Sequence, residues 1–149
     1  MSEIDNTTQL ELFETIRDAL LQSSEISRRF SKAQFDEYEP NLKSASVKLP
    51  FIVITPDITE TDLLTTTHAT TEKSISYLLD LLVDYKARSK AKEIASDIVR
   101  QIEASEDTFL ASGYYNPIID LSAVTLDVID QRQVVRYTFF ISFFATVDR

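Results

Sequence analysis

From residue 134 to 147 the chain alternates an apolar set of side chains with a mixed set, and this two-residue period predicts a strand. Val135, Tyr137, Phe139, Ile141, Phe143, Ala145 and Val147 fall on one face, which is apolar throughout and predicts a core. Val134, Arg136, Thr138, Phe140, Ser142, Phe144 and Thr146 fall on the other. Phe140 and Phe144 on that mixed face need cover, from this chain or from another copy. A flat strand rich in aromatic and β-branched residues, left open to water, invites aggregation. The strand is therefore expected inside a sheet whose second face is partly an interface.

Other stretches carry their own periods. Thr8 followed by Glu11 is a capping-box pattern. Leu12, Phe13, Ile16, Ala19 and Leu20 then recur at helical spacing, predicting an amphipathic helix over 8–22. Residues 23–50 are polar and aperiodic, with isolated Ile26, Phe30, Phe35, Tyr38 and Leu42. This stretch reads either as a binding arm or as a short second helix followed by a surface loop. Phe51-Ile52-Val53-Ile54-Thr55, fenced by Pro50 and Pro56, predicts a buried strand. Residues 57–71 are rich in Thr and Asp and predict a loop, with a frayed strand within it as the alternative.

Residues 72–104 fit two patterns. Ile75, Tyr77, Leu79, Leu81, Val83 and Tyr85 alternate as a strand, while Ile75, Leu78, Leu79, Leu82 and Val83 also fit a helix. Ala91, Ile94, Ala95, Ile98 and Ile102 then form a helical stripe, so one continuous helix is conceivable. Strand followed by helix is favoured, because the apolar residues of 75–85 would wrap all round a helix and Ser89 offers a cap for the second segment. Lys90 and Lys92 in that helix's first turn oppose its dipole. Residues 105–117 read as a connection and 118–129 as a strand, joined by the polar link Asp130-Gln131-Arg132-Gln133 to the last strand as an antiparallel hairpin. The sum is one α+β domain over 1–149: an antiparallel sheet of about four strands with helices on one face and a long N-terminal arm or loop.

Composition narrows the chemistry. The 149 residues include no Cys, one His (His68) and one Gly (Gly113), which removes disulfides, Cys–His nucleophiles and the glycine-rich phosphate loops. The sequence also lacks a G-x-S-x-G elbow. His68 stands among threonines and reads as a solvated side chain. Carboxylates gather at Asp57, Glu60 and Asp62 and at Asp127 and Asp130 without metal-loop spacing, so neither a metal nor a cofactor is expected. The net charge of −9 argues against wrapping nucleic acid, although a negative wall lets DNA pass without sticking. Glu3 and Asp5 stand where a leader would be apolar, Asn6-Thr7-Thr8 is then not a used glycosylation site, and no apolar run is long enough for a bilayer. A cytosolic chain without a membrane partner is expected. The basic run Lys86, Arg88, Lys90 and Lys92 either meets an acidic patch on a neighbouring copy or is a solvated helix entrance.

The order of features from residue 71 to 147 resembles the tail terminator (tail-completion) proteins of long-tailed bacteriophages and related viruses. An alternating strand ends in Asp84-Tyr85, and Lys86-Ala87-Arg88-Ser89-Lys90-Ala91-Lys92 leads into Glu93-Ile94-Ala95-Ser96-Asp97-Ile98-Val99 on a helix. A loop with Gly113, a strand, and a closing strand opening Gln133-Val134-Val135-Arg136-Tyr137 follow. The segments 23–46 and 57–71 look longer than the family's usual connections. The resemblance implies a structural virion protein without catalysis or cofactor. It would form a ring, six-fold in the family, that ends the tail tube and joins it to the head, in virions assembled in the host cytoplasm. Its partners would be other copies of itself, the tube protein and a head–tail connector or stopper protein, with DNA crossing the lumen unread. Lys86, Arg88, Lys90, Lys92, Arg136, Phe140 and Phe144 would form subunit contacts. Glu103, Glu106, Asp107, Asp57, Glu60 and Asp62 would face the lumen or the docking partners. The alternatives are another connector or tube-like component of such an assembly, or a small cytosolic oligomeric binding domain.

Overall fold

Burial decides the ambiguous stretch in favour of strand. Alternate residues Ile75, Tyr77, Leu79, Leu81 and Val83 are buried on one side of the sheet, and Leu82 is buried on the other. A sheet has two faces to offer such a segment, whereas a helix packed on a sheet has one stripe. The computed structural model describes the backbone of residues 6–56, 61–64 and 70–148, and side chains over 12–56 and 74–145. Its elements are α1 (Asn6–Leu21), α2 (Ser24–Ser27), β1 (Phe35–Asp36), β2 (Phe51–Pro56), β3 (Thr61–Leu64) and β4 (Thr70–Asp84), then α3 (Arg88–Ala104), α4 (Glu106–Ala111), β5 (Tyr114–Ile129) and β6 (Arg132–Asp148).

The strands form one sheet in the order β1-β2-β4-β6-β5, with β3 paired to β4 beyond the end of β2. The expected antiparallel body is present as β2, β4, β6 and β5. Two short strands extend it, and β1 runs parallel to β2, so the sheet is mixed. The fold is α+β, with α1, α3 and α4 packed on one face. Their contact is the main core, where Leu12, Ile16 and Leu20 of α1 and Ile94, Ile98 and Ile102 of α3 meet Ile54, Leu79, Ile141 and Phe143. The predicted stripe on α3 is buried at every position: Ala91, Ile94, Ala95, Ile98 and Ile102.

Three local readings change. The helix α3 begins at Arg88 with no side-chain cap, and Ser89 lies inside it. Asp84 instead accepts the Lys86 N–H and starts a 3-10 turn over Tyr85–Ala87 that feeds the helix directly. Burial of the stripe outweighs the unfavourable first-turn lysines. The connection 105–117 contains α4, because Phe109 is driven under the sheet against Phe143, ring centroids 4.7 Å apart. The hairpin link is two residues, Asp130 and Gln131, both at positive φ (51° and 69°), which is the backbone of a type I′ turn.

The segment 23–50 is docked rather than free. Ile26, Phe30 and Phe35 enter the main core. Arg29 reaches α3, where Nη1 donates to Asp97 at 2.8 Å and Nη2 to Glu93 at 3.0 Å. Residues beyond Phe35 then cross to the opposite face of the sheet. There Leu42, with Val47 and Leu49 against it, covers Phe51, Val53, Leu82, Ile129 and Val134 as a second, smaller core.

Candidate functional site

Lengths set up the site. The 17 residues of α3 span about 25 Å at helical rise, while the 16 residues of β5 span about 53 Å at strand rise. The helix therefore cannot cover the hairpin from end to end. Register assigns the faces: Leu121 opposes buried Phe139, Val124 opposes Tyr137, Leu126 opposes Val135 and Val128 opposes Gln133, so all four side chains stand on the helix side. They stand there in water. Leu126 is 60% exposed and Val128 66%, and Leu121 and Val124 are about as open. Where α3 ends its cover, Ala95, Ser96 and Val99 face Leu121, Val124, Tyr137 and Phe139 across a groove of about 450 Å³ rimmed by Lys92 and Arg100. Among the described residues β5 is also the terminal strand of the sheet, and no described strand lies beside its outer backbone groups.

The opposite face is open at the other end of the hairpin. Leu78 and Asp120 flank Phe140 on the neighbouring strands, and Ser142 opposes Ile118. Phe140 is 37% exposed and Ile118 is exposed, while Phe144 is half-buried with Tyr115 beside it, centroids 6.1 Å apart. A bulge between Tyr115 and Ile118, with Asn116 at φ 53°, opens a notch here lined by Glu103, Glu106, Asn116, Pro117, Ile118 and Phe144. Docking of 37–49 explains the asymmetry. At the turn end of the hairpin the crossing segment covers the outer face and the helix face is bare. At the far end the helices cover the inner face and the outer face is bare.

Arg136 holds this arrangement. Its Nη1 donates to Asp80 at 2.7 Å, its Nε to Asp127 at 2.7 Å, and its Nη2 to Glu39 on the crossing segment. Burial works against the charge, but the hydrogen bonds to Glu39, Asp127 and Asp80 outweigh it and raise the guanidinium's pKa further. Within its own chain Arg136 is thus bound to three carboxylates. Arg132 also pairs within the chain, donating to Asp84 at 2.6 Å and 3.2 Å. Asp130 accepts the Leu42 N–H at 2.9 Å. Asp127 and Asp130 are accordingly structural partners.

The remaining predicted residues fall as follows. Lys86, Arg88, Lys90 and Lys92 are all exposed along the entry to α3. Arg88 lies over the Tyr85 ring, 4.1 Å from its centroid, and donates to the Tyr85 carbonyl at 3.0 Å, while Lys92 reaches the groove. Glu103 and Glu106 border the notch, and Asp107 is exposed in the first turn of α4. Asp62 is in β3, its side chain outside the described residues, and Asp57, Glu60 and His68 lie outside them altogether. Among the described residues no group of three His, Cys, Asp or Glu side chains is placed to hold a metal ion. The exposed set Leu121, Val124, Leu126 and Val128 was legible only as a strand. The signal that reveals it is the disparity in length between helix and hairpin.

Fold and site together define a class: among the described residues a mixed sheet with helices on one face, an apolar strand at its edge and exposed apolar side chains on both faces. No family model matches the chain, and no curated protein matches it either. No helix among the described residues is long and apolar enough to cross a membrane.

Proposed function

We propose that the chain is a structural assembly protein of the tail terminator type. Copies of it join through their sheets into a ring that ends a tail tube and links it to a head, and DNA passes through the lumen. The observation that carries this reading is the bare helix-side face of β5, where Leu121, Val124, Leu126 and Val128 stand exposed in a row. Contiguous exposed apolar surface of this kind marks an interaction site. A net charge of −9 supports a lumen that repels phosphate and lets the duplex slide.

The test is subunit mass in solution, by light scattering across roughly the micromolar to 100 micromolar range expected for association, together with electron microscopy of the same sample. Closed rings of identical subunits are expected. A single-subunit mass at every concentration and salt overturns the reading in favour of a monomeric binding domain whose groove takes an apolar segment of another protein. Retention of duplex DNA that weakens with salt would overturn the conduit while leaving the ring.

A further inference from the structure

We infer that the two bare patches are the two halves of one contact: the helix-side groove of one copy receives the outer-face patch of the next. This rests on the self-assembling reading and deepens it by naming both surfaces. The groove patch is Leu121, Val124, Leu126 and Val128, with Lys92 and Arg100 on its rim. The outer patch is Ile118, Phe140 and Phe144, with Asp120 opposite Phe140 and with Glu103 and Glu106 at the notch.

Charge decides which patch meets which. Groove against groove brings Lys92 and Arg100 onto their own copies, and outer patch against outer patch brings three carboxylates onto three. Both place like charges across an apolar contact that excludes water, where repulsion is least screened. Groove against outer patch joins apolar to apolar and sets two cations toward three carboxylates. Arg100 is available for this: its side chain is 76% exposed while Nη2 holds Asp97 at 2.8 Å.

Position decides the symmetry. The apolar side chains of the two patches are on opposite faces of one sheet, with Glu103 and Glu106 reaching the outer patch from the helix ends at the edge notch. The contact is therefore heterologous, and each added copy leaves one of each open until rotation closes the set. That is the geometry of a ring or an open filament, and it cannot be satisfied by a two-fold dimer. Glu103 and Glu106 belong to this contact instead of the lumen wall.

The experiment mixes two defective chains. Leu126→Asp spoils the groove and leaves the outer patch intact, and Phe140→Asp does the reverse. Each alone is expected to need at least about tenfold more protein to assemble than the wild type. An equimolar mixture is expected to give one-to-one dimers and nothing larger, since a single intact pair of surfaces remains. Circular dichroism spectra matching that of the wild type, with melting temperatures compared at a concentration too low for any of the chains to assemble, establish folding. Should either variant fail to fold, the charge-swapped pair Lys92→Glu with Arg100→Glu, and Glu103→Lys with Glu106→Lys, asks the same question without touching the apolar side chains. Each double variant alone is expected to be dispersed, and their mixture to recover assemblies of wild-type size. Wild-type assembly by Leu126→Asp and Phe140→Asp separately, or a mixture that forms no dimer, overturns this pairing and leaves the ring reading standing. A wild-type chain that stays monomeric overturns both.

Discussion

Ile98 has no exposed surface and sits where α3 presses on the centre of the sheet. Ile98→Ala removes three carbons from that contact, and the expected loss is about 2–5 kcal/mol in urea unfolding, from lost transfer energy plus the cavity. Asp84 plays two parts at once, accepting from Arg132 and from the Lys86 N–H. The Arg132 hydrogen bond, then the backbone one, hold its carboxyl below the ordinary value of 3.8. A depressed folded pKa contributes stability that is present above the unfolded value and lost as pH falls through the folded one. Arg132→Gln should therefore be less stable than the wild type near neutrality, and should lose less stability between about pH 5 and pH 2. Equal acid sensitivity of the two chains would show that the pair is only incidental.

At the level of elements, the β5–β6 hairpin is governed by its turn. Asp130 and Gln131 both adopt positive φ, which side chains other than Gly, Asn and Asp resist. Asp130 is retained by its bond to the Leu42 N–H, whereas no such role holds Gln131 to its residue type. Gln131→Gly should raise stability by about 0.5–1 kcal/mol, seen as a higher urea midpoint, because relief of the strained backbone exceeds the extra freedom of the unfolded chain. A lowered midpoint would mean that the side chain packs to some purpose. The same hairpin is too long for its helix, and this is what bares Leu126 and Val128.

For the whole molecule, cover is distributed diagonally. Helices protect one face at one end, the segment 37–49 protects the other face at the other end, and Arg136 clamps the crossing through Asp80, Asp127 and Glu39. What stays bare is apolar on both sides, and the two matched surfaces of the proposed contact exist only in the folded chain. The melting temperature should accordingly rise with protein concentration, as it does when only the native state binds. Calorimetric scans over about a hundredfold range of concentration check this, and an unchanged midpoint would count against assembly at those concentrations.

Within the chain, periodicity determined the strand at 134–147, the α3 stripe and the hairpin, because each is a local repeat of side chains that one face of one element must satisfy. Residues 75–85 fitted strand and helix alike, and only burial on both faces of a sheet decided between them. Periodicity also located Phe140 and Phe144 as residues with too little cover. Tertiary structure decided what covers what. No local pattern brings residues 37–49 across to Val134, or gives Arg136 to Glu39, since those contacts join positions 97 residues apart in one case. Phe109 likewise became helical only because the underside of the sheet had room for its ring. Leu121, Val124, Leu126 and Val128 follow the same rule in reverse. Their alternation promised burial, and the three-dimensional fit of a short helix to a long hairpin withheld it.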